Sequence, residues 1–94
     1  MALARVVGFD GVTSERIEHL RREIGEGGRP EEVPATEVLI LHDPDAEKSL
    51  AILFFDNEED YRRGDAALSA MPSGDTPGTR SSVAKYTVAI RVTA

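Results

Sequence analysis

The sequence predicts an α+β fold in which four strands and two helices follow one another in the order β-α-β-β-α-β. Two observations predict it. Four apolar runs of strand length occur along the chain, and the first and third are each followed by residues that start helices. The second and third runs are separated only by a short turn, "DPD" at 43–45, which is typical of an antiparallel hairpin. The 94 residues fit one domain, 1–94.

The first half of the chain reads as a strand followed by a helix. Residues 3–9 form the strand, and Gly11 allows a turn. Thr13 or Ser14 caps the helix. One apolar stripe then follows at i, i+3 and i+7, formed by Ile17, Leu20 and Ile24. Glycines at 25–28 end this first helix.

The second half begins with the hairpin. Residues 36–42 and 48–55 are its two strands, and Asn57 caps a second helix whose first turn is acidic. Pro72 ends that helix, and residues 72–82 form a loop.

The last strand is predicted over residues 83–92, where apolar and polar residues alternate. Two strand–helix–strand halves joined by a hairpin make the ferredoxin-like plan, with a four-stranded antiparallel sheet and two helices on one face.

The hairpin strands carry apolar residues on both faces. "EVLILH" and "LAILFF" do not alternate apolar with polar, although two helices can cover only one face of the sheet. A second copy of the chain, packed sheet to sheet, covers the other face most economically. We therefore expect a homodimer.

The composition excludes several kinds of partner. Seventeen acidic against 11 basic residues give a net charge of −6, which disfavours nucleic acid and anionic membrane surfaces. The absence of cysteine removes disulfides, zinc-thiolate sites and thiol nucleophiles. The first residues lack the pattern of a signal peptide, and no apolar run is long enough to span a membrane. A cytoplasmic protein is expected.

These features together resemble a known group of proteins. The six-element order, the two-sided strands "EVLILH" and "LAILFF", and the segment "NEEDYRRGDAALSAMP" are similar to those of the dimeric α+β barrel superfamily, which includes antibiotic-biosynthesis-monooxygenase-like proteins. The resemblance implies a pocket between sheet and helices, and chemistry of the kind seen in cofactor-independent oxygenases or small isomerases. Trp is frequent in such pockets, whereas this chain has none.

Three residues are candidates for catalysis. His42 ends the second strand on the face of Val38 and Ile40, where a neutral imidazole serves as a base or ligand, or else simply hydrogen-bonds in a turn. Asp65 borders the apolar stripe of the second helix, where a carboxylate can be an acid or pair with Arg62 or Arg80. Tyr86 on the last strand orients a substrate through its hydroxyl, or is a core residue with its hydroxyl at the edge.

Two further residues are candidates for substrate binding. Arg80 is the cation of the 72–82 loop and clamps an anionic ligand if that loop is a lid, or else is a surface residue. Glu37 either pairs with an Arg across the dimer, lines a pocket or is solvated at the strand end. Gly64 lies in the apolar stripe, which indicates close approach of the second helix to the sheet.

The expected function is therefore a homodimer that binds a small molecule between sheet and helices. If it is an enzyme, His42, Asp65 and Tyr86 are base, acid and orienter. No metal motif is present, because His19 faces solvent and no His pair has ligand spacing, and no cofactor is expected. The alternatives are a non-catalytic dimeric interaction or ligand-binding protein, and a ligand-sensing module of the same topology.

Overall fold

The computed structural model describes residues 2–27, 33–70 and 78–93. Their elements follow the predicted order, and each is bounded as follows: β1 (Leu3–Asp10), α1 (Ser14–Gly27), β2 (Glu37–Asp43), β3 (Lys48–Phe55), α2 (Glu58–Ser69) and β4 (Thr79–Thr87). All neighbouring strands are antiparallel, in the spatial order β2-β3-β1-β4. The ferredoxin-like fold is confirmed.

Local sequence explains where the helices begin. The Asn57 side chain accepts a hydrogen bond from the Asp60 amide at 2.8 Å, as expected of an N-cap. Thr13 accepts one from the Arg16 amide at 3.2 Å, so Thr13 takes the capping position of α1. Acidic residues in both first turns complement the helix dipoles.

The predicted bounds of the last strand are wrong at both ends. β4 begins at Thr79, because its first residues pair with the end of β1 through an irregularity between Gly8 and Phe9. It ends at Thr87, which pairs with Leu3, the first residue of β1, so the alternating residues beyond it have no strand to join. Arg80 therefore lies in β4 and not in a loop. Residues 72–77 of the predicted 72–82 loop fall outside the described residues.

The sheet has two different faces. The covered face, under the helices, carries the core: Leu3, Leu53, Phe55 and Tyr61 pack with Val33 and Ala35, and Val7, Phe9 and Val12 form a second cluster. No helix of the described residues covers the open face. By strand alternation and register its apolar residues are Ala4, Val6, Leu39, Leu41, Leu50, Ile52, Phe54, Ala84 and Tyr86.

The open face confirms that the hairpin strands are apolar on both sides. Leu39, Leu41, Leu50 and Tyr86 are between 41% and 57% exposed. A contiguous apolar surface of this kind is typical of an interaction site.

Candidate functional site

A cleft separates α1 from the edge strand β2 on the covered face. It encloses about 380 Å³ and is lined by Ile17, Leu20, Arg21, Ile24, Gly25, Val38 and Ile40. Its two walls are the apolar stripe of α1 and the inward residues of β2. Ile17 and Leu20 are only half-buried and Ile24 is exposed, so α1 does not close onto the sheet. The α1–β2 cleft is therefore an apolar space between helix and sheet.

His42 lies beyond the end of this cleft. It follows Ile40 by two residues on the same face of β2, which places it about 7 Å further along the strand. Its Nε2 lies 2.9 Å from the Val12 carbonyl oxygen, just before α1 begins. Since a carbonyl only accepts, Nε2 carries the hydrogen and Nδ1 of the neutral ring keeps its lone pair. The arrangement fixes the ring in the tautomer that offers Nδ1 as a base.

A buried charge pair lies under α2. Arg5 of β1 is 3% exposed, and its Nε donates to Asp65 Oδ1 at 2.8 Å, while the Asp65 side chain is 43% exposed. Arg5 Nη2 is buried without a hydrogen-bond partner, alone among the buried side-chain polar atoms of the described residues. Leaving such a donor unsatisfied costs free energy. The pair thus holds α2 to the sheet but leaves one guanidinium nitrogen buried and unsatisfied.

Tyr61 packs beside this pair. Its ring meets that of Phe55 edge-on, with centroids 5.4 Å apart, and the Lys85 ammonium lies 5.0 Å from the Tyr61 ring centroid. Lys85 in turn pairs with Glu58. Burial, reinforced by the negative charge of Asp65, raises the pKa of Tyr61 above its ordinary value of 10.0. The phenol is thereby kept neutral.

The structure does not bring the three predicted catalytic residues together. Tyr86 lies on the open face opposite Ala4, whereas His42 and Asp65 belong to the covered side. His42 lies opposite Ser49 of β3, which in turn lies opposite Phe9 of β1. Phe9 is four residues along β1 from Arg5, the partner of Asp65. That spacing corresponds to about 13 Å along the strand. Their roles stay predictions, and one site cannot use all three within a single chain.

The two predicted substrate-binding residues also lie apart. Glu37 is at the start of β2 on the open face, where it pairs with Arg91 of the same chain. Arg80 is exposed in β4, near the β1 end that contains Phe9. Neither lines the α1–β2 cleft.

Two features went unrecognised in the sequence. Arg5 interrupts the apolar set Leu3, Val7 and Phe9, all on one face of β1, which was a readable signal of a buried charge. Its partner could not be read, because Asp65 is 60 residues away in the chain. The openness of the α1–β2 cleft depends on how closely α1 packs, which periodicity does not report.

The described residues contain no group of three or more His, Asp or Glu side chains placed to hold a metal ion. None of their helices has the length and apolar character needed to cross a bilayer.

Comparison with known proteins supports the fold. No family model matches the chain, and no curated protein matches it. A crystal structure from Chloroflexus aurantiacus J-10-fl, named "putative Antibiotic biosynthesis monooxygenase", superposes with a TM-score of 0.59 and 10% sequence identity. The match covers 100% of this chain and 98% of that one. The fold is thus the one found in an antibiotic-biosynthesis-monooxygenase-like structure.

Proposed function

We propose that this chain is a cytoplasmic homodimer that binds a small apolar molecule in the α1–β2 cleft, with His42 as the base at its end. The observation that carries the proposal is the cleft itself: about 380 Å³ of apolar space between helix and sheet. Ligand pockets are typically apolar, with a few polar groups that fix orientation. Arg21 is the charged residue of the cleft lining, and His42, held by Val12, lies just beyond the end of the cleft.

The proposed reaction is a monooxygenation, supported by the fold shared with the named Chloroflexus protein. A phenol with a free para C–H position suits an apolar cleft with a base. The phenol gives up its O–H and para C–H hydrogens. One oxygen atom of O₂ forms the new C–O bond of a quinone, and the other leaves as water. The substrate supplies all four electrons.

Oxygen-isotope labelling tests this reaction directly. Purified protein is incubated with 1-naphthol under ¹⁸O₂, and 1,4-naphthoquinone is analysed by mass spectrometry. We expect one ¹⁸O atom per quinone and oxygen uptake equal to the quinone formed. Quinone without ¹⁸O, or formation at the rate of heat-inactivated protein, contradicts the proposed oxygenation of this probe.

His42→Gln tests the base. The Gln amide nitrogen can still donate to the Val12 carbonyl, but no side-chain nitrogen with a lone pair remains. We expect turnover to fall about 100-fold, as for loss of a general base, with binding of 1-naphthol little changed. Equal turnover by the variant removes His42 from the reaction.

Leu20→Trp tests the cleft independently of turnover. A bulky ring at this lining position fills the space, whereas His19→Trp places the same ring on the exposed side of α1. We expect loss of 1-naphthol binding by fluorescence titration in Leu20→Trp alone. Binding without oxygen uptake in the unmodified protein would support the alternative, a non-catalytic ligand-binding dimer.

The dimer is proposed from the open face. Its exposed residues Leu39, Leu41, Leu50 and Tyr86 surround half-buried apolar neighbours, and the two helices cannot reach them. A two-fold dimer buries the same patch on both copies. We expect sedimentation at micromolar concentration to give twice the mass of 10.2 kDa.

A charge on the open face should abolish the dimer. Leu39→Lys places an ammonium within the patch, on the edge strand β2, while Ala66→Lys adds the same charge on the exposed surface of α2. We expect a monomer for the first variant and a dimer for the second. A monomer for the unmodified chain would overturn the sheet-to-sheet proposal.

A further inference from the structure

The arm, residues 88–93, leaves the sheet after β4 and crosses one end of the open face. Its path is fixed by three contacts. The Val88 amide donates to the Ala2 carbonyl at 3.0 Å. The Arg91 guanidinium lies 4.5 Å from the centre of the Phe54 ring and pairs with Glu37. Because Phe54 and Glu37 both belong to the open face, the arm lies at that end of it.

Two apolar side chains of the arm have no cover. Ile90 and Val92 flank Arg91 and are 84% and 82% exposed, more than any other large hydrophobic residue in the described chain. Arg91 contacts its own sheet, whereas its two neighbours face solvent. A pair of aliphatic side chains held in place but bare to solvent is what a bound partner would cover.

The basin is a depression at the other end of the open face. It encloses about 410 Å³ and is lined by Gly8, Phe9, Asp10, Leu41, His42, Asp43, Lys48, Ser49, Leu50, Ser81 and Ser82. The Ser81 and Ser82 hydroxyl oxygens lie against Gly8, where a Cβ would come within 2.9 Å of both. Leu41 and Leu50 give it an apolar floor, and charged residues stand at its edge. An apolar centre with a polar rim is the usual anatomy of an interface.

The arm cannot fill the basin of its own chain. Phe54, which Arg91 contacts, and Leu50 of the basin are four residues apart on β3, about 13 Å. In a face-to-face dimer the two-fold axis lies between the sheets. When that axis runs across the strands, each end of one sheet meets the opposite end of the other. The arm of each copy then meets the basin of its partner.

We infer that Ile90 and Val92 of one copy insert into the basin of a second copy, twice by symmetry. The inference rests on the dimer proposed above and adds its orientation and its anchoring residues. A projection and a depression at opposite ends of one apolar face make that face self-complementary. Arg91 is a positioning residue, because its contacts with Phe54 and Glu37 set the height of the arm over the face.

Disulfide trapping tests the contact, because the chain contains no cysteine of its own. Equal amounts of ¹⁵N-labelled Ile90→Cys and unlabelled Leu50→Cys are mixed, oxidised and analysed by mass. A bond requires Cα atoms within about 7 Å. We expect mainly the mixed 90–50 product. Ser14→Cys in place of Leu50→Cys is the control, since Ser14 is exposed at the start of α1, and should give little product.

Dimer affinity separates this inference from the dimer itself. We expect the double variant Ile90→Ser/Val92→Ser to raise the dimer dissociation constant at least tenfold, and Thr93→Ser to leave it unchanged. If the unmodified chain is a monomer, both the dimer and the arm contact fall. The unmodified chain can instead be a dimer whose dissociation constant is unchanged by the Ile90→Ser/Val92→Ser substitutions, or whose cross-links join residue 90 to residue 90. Either result overturns the arm contact but not the dimer. Unchanged thermal unfolding of the Ser14→Cys and Thr93→Ser proteins verifies their fold.

Discussion

The two helices pack on the same face of the sheet but in different ways. α2 approaches so closely that a Cβ on Gly64 would lie 2.5 Å from the Phe55 ring, and Asp65 holds the buried Arg5. α1 keeps its stripe half-exposed and leaves a cleft against β2. The difference teaches that α2 is packed tightly against the sheet, whereas α1 leaves an apolar space beside it.

Removing Asp65 should have the largest effect on stability. Asp65→Ala leaves Arg5 as a buried charge without a partner, which costs about 3 kcal/mol. Arg5→Met should cost clearly less, because the remaining Asp65 is half-exposed and the orphaned Nη2 disappears. Urea unfolding measures both. Equal losses would show that the pair is not what fixes α2.

Truncating a leucine should distinguish the two sides of the covered face. Leu53→Ala opens a cavity in the core under α2, with an expected loss of about 2–4 kcal/mol in unfolding free energy. Leu20→Ala removes atoms from an open cleft wall, and we expect about 1 kcal/mol or less. Thermal unfolding tests this ranking. A loss at Leu20 as large as that at Leu53 means that the cleft closes in solution.

Alanine substitutions at one glycine in each helix test the same difference in packing between α2 and α1. Gly64→Ala forces a methyl group into Phe55 and should destabilise by about 1–2 kcal/mol. Gly25→Ala meets nothing within 4 Å, and the better helix propensity of Ala should stabilise by about 0.5–1 kcal/mol. We expect the denaturant midpoint of unfolding to fall for Gly64→Ala and to rise for Gly25→Ala. Stabilisation at both positions would show that α2 has space to move.

The smallest expected effect is on the pH dependence of stability at alkaline pH. The folded state holds the Tyr61 proton more tightly than the unfolded state, so its contribution is fully present below pH 10.0 and declines above it. Tyr61→Phe should therefore lose less stability than the unmodified protein between about pH 9.5 and 11. Equal pH slopes of stability for Tyr61→Phe and the unmodified protein would contradict the burial of the Tyr61 phenol.

Local signals predicted most of the fold. The β3 bounds, the Asn57 cap and the close approach at Gly64 depend on neighbouring residues and were all readable. The end of β4 was not, because alternation continues to residue 92 while the pairing strand β1 starts at Leu3. Strand length is set by a partner that lies elsewhere in the sequence.

The candidate site was harder to predict. His42 was recognised by its place at the end of a strand, but the carbonyl that fixes its tautomer belongs to Val12, 30 residues away. Their chemistry alone groups Tyr86 and Asp65 with His42. In the fold, Tyr86 lies on the open face and Asp65 pairs with Arg5, away from His42. Residue type predicts what a side chain can do, whereas only the register tells which side chains meet.

Methyl NMR of the protein titrated with 1-naphthol tests the central claim most directly. We expect the largest chemical-shift changes at the cleft methyl groups, those of Ile17, Leu20, Ile24, Val38 and Ile40. The open-face methyl groups of Leu39, Leu41 and Leu50 should stay unchanged, since they do not line the cleft and the proposed dimer would cover them. Shifts confined to the open face, or none at saturating probe, would contradict a ligand site between α1 and β2.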